Sequence, residues 1–221
     1  MIKYVLFDLD GTLLATLDTI TYHLNAALTS FGLTRITVDE CSEFIGNGAR
    51  KLVTRAVSKS GVSDEGVIAE VLAKYNRAYD LEPITHTYPY DGIVELVDEL
   101  IARGITLGVV TNKPEPTAKK LIAHFFDGKF EFVSGGRDGA ILKPDPTESL
   151  TLLNGLGGEA FECAFVGDTS VDIHTGKNMG AGLSIGVSWG FRAASTLWEA
   201  GADAVADHPR DVLDAIGEVA V

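Results

Sequence analysis

Three observations on the 221-residue chain predict an α/β fold, a doubly wound parallel sheet with a Rossmann-like core and an inserted all-α cap. The run Ile2 to Phe7 is apolar, and Val5, Leu6 and Phe7 follow one another without polar alternation, as in a strand buried on both faces in the middle of a parallel sheet. From Tyr88 onward, short apolar runs alternate with amphipathic stretches, strand then helix, which builds a parallel sheet with helices on both faces. Between Leu17 and Tyr79 the spacing is helical and no convincing strand intervenes, so one block interrupts the alternation. The division follows: residues 1–15 and 86–221 form the α/β core, residues 16–85 the cap. Hinges fall near Ala15 to Leu17 and Leu81 to Thr87.

In the cap, Ile20, Leu24, Ala27, Leu28 and Phe31 mark a helix over about Asp18 to Phe31, with Asp18 or Thr19 to cap it and Gly32 to end it. A second helix spans Val38 to Ile45 and stops at Gly46-Asn47-Gly48. A third runs Ala49 to Ser58, and Ser63-Asp64-Glu65 caps a fourth that reaches about Asp80. In the core, helix Ile93 to Ala102 precedes strand Ile105 to Val110, and helix Thr117 to His124 precedes strand Phe130 to Val133. Helix Thr147 to Leu153, strand Ala164 to Val166, helix Ile173 to Met179 and strand Gly182 to Val187 follow. A short helix Ala193 to Ala200, strand Ala204 to Val205 and a closing helix complete the chain.

Composition narrows the partners. A formal charge of −13 argues against a nucleic-acid backbone or an anionic membrane, since either needs a basic surface. No apolar run reaches membrane-spanning length, and the N-terminus lacks the layout of a signal peptide. Two cysteines, Cys41 and Cys163, make no disulfide framework, so a cytoplasmic compartment with reduced thiols is expected. The five histidines show no zinc-ligand spacing, and His86 reads as structural or solvated. Oligomeric state is not legible in the sequence.

The strand carboxyl ends carry the chemistry, because ligands of such sheets bind in the crevice outside them. The first strand ends in Asp8-Leu9-Asp10-Gly11-Thr12. If the backbone stays extended through Leu9, Asp8 and Asp10 face the same way, and their repulsion calls for a proton or a hard cation such as Mg2+. The competing reading makes them solvated turn residues before a glycine. Thr111-Asn112-Lys113-Pro114 ends the next strand and offers a hydroxyl, an amide and backbone N–H groups for phosphate oxygens, or else a helix cap. Lys143 sits in Leu142-Lys143-Pro144-Asp145-Pro146, where two prolines hold the backbone and aim an ammonium that would otherwise be solvated. Gly167-Asp168-Thr169-Ser170-Val171-Asp172 ends a further strand. Asp168, with Asp8 and the backbone carbonyl of Asp10, completes a protein ligand set for Mg2+, while Asp172 binds the ion through water or holds Lys143; capping roles are the alternative.

These four segments, in this order, resemble the four motifs of the haloacid dehalogenase-like phosphatases, over essentially the whole chain. The cap position matches the subgroup with a helical insertion between motifs one and two. Within it, Phe44 to Arg50, Val110 to Pro114 and Lys143 to Pro146 look most like phosphoglycolate phosphatases. The resemblance implies a Mg2+-dependent phosphatase acting on a small phosphorylated metabolite, 2-phosphoglycolate first among them. Asp8 is then the nucleophile, Asp10 the general acid and base, Lys143 the charge-neutralising cation, and Thr111 and Asn112 the phosphate donors. With the double proline it also implies a cis peptide before Pro144 and a lysine turned inward. A phosphosugar mutase, a pyrophosphatase and a non-catalytic binding protein on the same scaffold are the alternatives. In the cap, Gly48 and Arg50 at a helix start offer N–H groups and a bidentate donor for the non-phosphate end of the substrate. The competing view keeps Arg50 in solvent.

Overall fold

The structure is a computed structural model and describes residues 1–137, 139 and 141–218. Its central sheet has six parallel strands: β1 (Tyr4–Phe7), β4 (Thr106–Pro114), β5 (Phe132–Gly136), β6 (Cys163–Gly167), β7 (Leu183–Val187) and β8 (Ala204–Ala206). They lie in the order β5-β4-β1-β6-β7-β8, with Val5 opposite Leu107 on one side and Ala164 on the other. The order reverses at β1. In an open α/β sheet such a switch point leaves a crevice beyond the strand ends.

The unbroken apolar run of β1 is explained by two cores. Val5 and Phe7 point to one face, where α5 (Ile93–Ala102), α6 (Glu115–Phe125) and α10 (Pro209–Glu218) supply Leu96, Leu100, Leu121, Val212 and Ile216. Leu6 points to the other, against Phe165, Leu153 of α7 (Thr147–Gly155) and Met179 of α8 (Ser170–Met179). A charge on either face of β1 would therefore meet packed hydrocarbon.

Between β2 (Leu14–Ala15) and β3 (Tyr88–Pro89) the chain forms α1 (Leu17–Ser30), α2 (Val38–Phe44), α3 (Ala49–Ser58) and α4 (Glu65–Leu81). These helices bury their own cluster, including Ile20, Leu24, Leu28, Val53, Val57, Val71 and Tyr75, which satisfies their apolar stripes without recourse to the sheet. Thr37 and Glu40 form the capping box of α2, and the Asp64 carboxylate accepts the Val67 N–H at the start of α4. The α1 start differs from expectation: Thr16 stands at its N-cap without a side-chain bond, and Thr19 instead donates to the Thr85 carbonyl and meets the Thr87 hydroxyl. Thr19 thus ties the first turn of α1 to the returning segment at Thr85 and Thr87.

The sequence reading also lacked β2 and β3, which pair antiparallel through Leu14 with Pro89 and Ala15 with Tyr88. Two residues are too few to show a period. A 3-10 turn at Ala160–Glu162 and α9 (Ala194–Glu199) complete the elements. No described helix is long and apolar enough to cross a membrane.

Candidate active site

At the carboxyl ends of β1, β4 and β6 lies a cleft lined by Asp8, Asp10, Thr111, Asn112, Lys113, Lys143, Thr169, Asp172 and Phe191. Ile20, Ile45, Gly46, Gly48, Ala49, Leu52, Tyr75 and Tyr79 of the helical segment line its opposite side. Strand pairing of β1 ends at Phe7, yet the Asp8 N–H still donates to the Val166 carbonyl, which holds the first carboxylate at the sheet edge. The chain then turns tightly, with the N–H groups of Leu13 and Leu14 both directed to the Leu9 carbonyl. Gly11 permits the turn at φ +84°, and a Cβ there would lie 2.4 Å from Asp168 Oδ2, so this glycine makes room for the neighbouring acid.

Lys143 is the electrostatic centre. Its peptide bond to Pro144 is cis, and its side chain is 4% exposed, turned inward. Nζ donates to Asp172 Oδ1 at 2.7 Å and stands 2.7 Å from Asp8 Oδ1, an ion-pair contact whose angles leave that oxygen without a hydrogen bond. Asp172 Oδ2 accepts the hydroxyl and the N–H of Thr169, which fixes the carboxylate at the start of α8. Of the two roles left open for Asp172, holding Lys143 is therefore realised directly. Asp168, fully buried, accepts the Phe191 N–H at 2.8 Å on Oδ2 and the Thr12 hydroxyl at 3.3 Å on Oδ1.

One carboxylate oxygen each from Asp8, Asp168 and Asp172 lies within 4.8 Å of the others, all three residues buried. Burial pushes the Asp8 carboxyl up to about 6 against the pull of Lys143. Asp168 is raised well above the carboxylate range by burial and by the charges of Asp172 and Asp8. Burial works to lower the Lys143 value, but attraction by Asp172 and Asp8 outweighs it and the value rises. One ammonium among three buried acids leaves negative charge uncompensated. The donor set around that charge is all carboxylate oxygen, which fits a hard divalent cation.

Two other residues behave differently from the sequence reading. The Asn112 carboxamide, expected to meet phosphate, clamps Lys143 instead: Oδ1 accepts the Lys143 N–H at 2.9 Å, and Nδ2 donates to the carbonyls of Lys143 at 3.1 Å and Gly46 at 3.2 Å. Arg50, expected to reach the cleft, does not line it. Its side chain is 59% exposed and paired with Glu65 at the start of α4, because the first turn of α3 directs it outward where an acid is already placed. Gly48 does line the cleft, at φ +85° as the N-cap of α3. Thr111 is buried at the cleft wall, and its hydroxyl oxygen accepts the Lys113 N–H. His86 does not line the cleft.

Two residues take part that the motifs do not announce. Lys113 is buried and donates to both Asp10 oxygens, at 2.9 and 3.1 Å, and to the Tyr79 hydroxyl at 2.7 Å. Period-two alternation from Thr111 along β4 was the available signal. Arg192 donates to the carbonyls of Ser42 at 2.7 Å and Ile45 at 3.1 Å, at the end of α2, while the preceding Phe191 N–H holds Asp168. Only the folded chain brings those segments together.

Comparison with known proteins agrees with this geometry. The family model described as haloacid dehalogenase-like hydrolase matches residues 5–185. Phosphoglycolate phosphatase 1 of Pseudomonas aeruginosa is 32% identical over 224 residues, covering 99% of this chain and 81% of the relative. The phosphoglycolate phosphatase of Rhodospirillum rubrum is 34% identical and covers 98% of this chain and 92% of that one. A crystal structure from Lactobacillus delbrueckii subsp. bulgaricus superposes with a TM-score of 0.90 at 30% identity, over 97% of this chain and 98% of the other. With the sheet order, the strand-end motifs and these relatives in agreement, the chain belongs to the haloacid dehalogenase-like hydrolases and is a phosphoric monoester hydrolase.

Proposed function

We propose that the enzyme is a Mg2+-dependent phosphatase of small phosphomonoesters, with 2-phosphoglycolate as its substrate and glycolate and phosphate as products. The observation that carries the reading is the buried group Asp8, Asp168, Asp172 and Lys143 at the floor of a cleft closed over by small and apolar cap residues. The identity of the relatives named above supports the choice of ester. Asp8, Asp168 and the Asp10 carbonyl would hold the ion, with Asp172 adjacent; when bound, Mg2+ neutralises charge on the phosphoryl group and on Asp8.

Asp8 attacks phosphorus in line, an Asp8 oxygen–phosphorus bond forms, and the bond to the leaving oxygen breaks. Asp10 protonates that oxygen, releasing the alcohol. It then takes a proton from the water that attacks the aspartyl-phosphate, which returns Asp8 to its starting form. Lys143 lies against Asp8 and offsets the charge that gathers there. The Thr111 hydroxyl, accepting only from the Lys113 N–H among the described residues, keeps its own hydrogen for a phosphoryl oxygen. Asn112 positions Lys143. Residues 16–85 act as a cap on the body formed by 1–15 and 86–221, hinged at the β2–β3 pair, and exclude bulk water during the first step. A cytoplasmic setting suits the two free, separately buried cysteines.

Phosphate release from 2-phosphoglycolate, other phosphomonoesters and pyrophosphate, each with and without Mg2+, tests the reading. Turnover of phosphoglycolate above the rest, abolished by a chelator, is the expected result. Hydrolysis in excess chelator, or pyrophosphate as the best substrate, would overturn it.

A further inference from the structure

The cleft carries a buried cation that the phosphoryl chemistry does not use. Among the described residues, Lys113 and Lys143 are the basic side chains that line it. Lys143 is committed to Asp8 and Asp172 at the phosphoryl end. Lys113 stands on the other side of Asp10, its side chain 3% exposed, with Nζ bonded to both Asp10 oxygens and to the Tyr79 hydroxyl and 4.2 Å from the Tyr79 ring centre. Asp10 is the group that must touch the leaving oxygen, so Lys113 borders the space where the rest of the leaving group lies. The wall around that space, Ile20, Ile45, Leu52 and Tyr75, is apolar or aromatic and offers no other charge. Arg50 is turned away to Glu65.

We propose that Lys113 is the specificity-determining residue that recognises an anionic group, a carboxylate, on the leaving-group side of the substrate. This assignment rests on the phosphoglycolate reading and deepens it. A buried ammonium in an apolar wall keeps most of its electrostatic strength, and an anion that reaches it is held far more firmly than one at an exposed side chain. The substrate carboxylate also competes with Asp10 for the ammonium. When it succeeds, an Asp10 oxygen is freed to meet the leaving oxygen, so an ester with the right tail both binds and readies the acid. An ester without the tail leaves Lys113 on Asp10. Tyr79, stacked on Tyr75 with ring centres 5.8 Å apart, braces the ammonium from the cap, so recognition requires the cap in place.

The test compares kcat/KM for 2-phosphoglycolate and for ethyl phosphate, which lacks the carboxylate, in the wild-type enzyme with Mg2+ and in Lys113→Met and Lys113→Arg. The wild-type preference for phosphoglycolate is expected to fall by about 10- to 100-fold in Lys113→Met, the scale of one charged hydrogen bond, and to be largely retained in Lys113→Arg. Equal losses on both substrates would overturn the assignment while leaving the phosphoglycolate reading standing, since Lys113 would then serve Asp10 alone. A wild-type enzyme that does not prefer phosphoglycolate to ethyl phosphate overturns both. If Lys113→Met does not fold, Tyr79→Phe carries the same comparison: it keeps the ring and removes the hydroxyl that holds the ammonium. The preference should then fall several-fold, and an unchanged preference would overturn the assignment.

Discussion

Lys143 in the sheet body and Arg50 in the helical insertion are similar signals in the sequence, each a cation beside residues of special backbone behaviour, prolines for the one and glycines for the other. They ended in opposite places. Lys143 is 4% exposed and sits among buried acids from two further strand ends, whereas Arg50 is 59% exposed and is satisfied by Glu65 fifteen positions on. The body has helices on both faces and strand ends that converge, so a side chain entering the crevice meets groups delivered by several elements at once. A helix start on the insertion has an outer face, and there an exposed acid at the start of the neighbouring helix satisfies the cation. A charged residue in a motif therefore informs about chemistry only when the fold supplies convergence.

The comparison breaks most sharply if the body residues prove dispensable. Asp8→Asn should lower turnover by about 10³-fold or more with the fold intact, as for loss of a covalent nucleophile. Asp10→Asn should be similarly damaging through lost proton transfer. Near-normal phosphate release from Asp8→Asn, with unchanged circular dichroism, would remove it from the mechanism.

Next in size is Lys143→Met, which strips the one ammonium from buried Asp8 and Asp172 and should cost about 3–5 kcal/mol in denaturant unfolding. A loss under about 1 kcal/mol would place the lysine in solvent in the working protein.

The acids make a pH-dependent prediction. Asp8 is raised from 3.8 to about 6, and Asp168 moves the same way. A raised carboxyl contributes stability that is present at low pH and lost as pH climbs through the folded value, so the ion-free protein loses this contribution between about pH 4 and the region above about pH 6. Lys143, raised above 10.5, titrates outside that window. Added Mg2+ should therefore raise Tm more at about pH 7.5 than at about pH 5. Equal gains at both would argue that the cation binds elsewhere.

Smaller effects belong to the insertion. Arg192→Ala removes donors to the Ser42 and Ile45 carbonyls and should cost about 1–2 kcal/mol, with KM rising more than kcat falls as the cap loosens. Smallest of all, Arg50→Ala should change stability by less than about 0.5 kcal/mol and leave the ratio of phosphoglycolate to ethyl phosphate turnover unaltered. A collapse of that ratio would bring Arg50 into the cleft and erase the contrast with Lys143.

What the sequence by itself determined is what local physics determines. An unbroken apolar run placed β1 within Ile2 to Phe7, and stretches closed by Gly61 and Gly104 placed α3 at Ala49–Ser58 and α5 at Ile93–Ala102, because burial on both faces and a helix-ending glycine are each written locally. Strand-end polarity marked Asp8, Thr111 and Asp168, because a parallel sheet presents those ends to one crevice. The tertiary structure alone decided partnership. Lys113 finds Asp10 across 103 positions and Tyr79 across 34, Asn112 turns to the Lys143 backbone 31 away, and Arg192 reaches Ser42 across 150. The β2–β3 pair, two residues on each side, likewise exists only once the insertion has folded between them. A side chain's period says which face it leaves from. Which group it meets there depends on the path of every intervening residue, and for long, flexible cations such as Lys113 and Arg50 that choice is made by packing, after the local pattern has been spent.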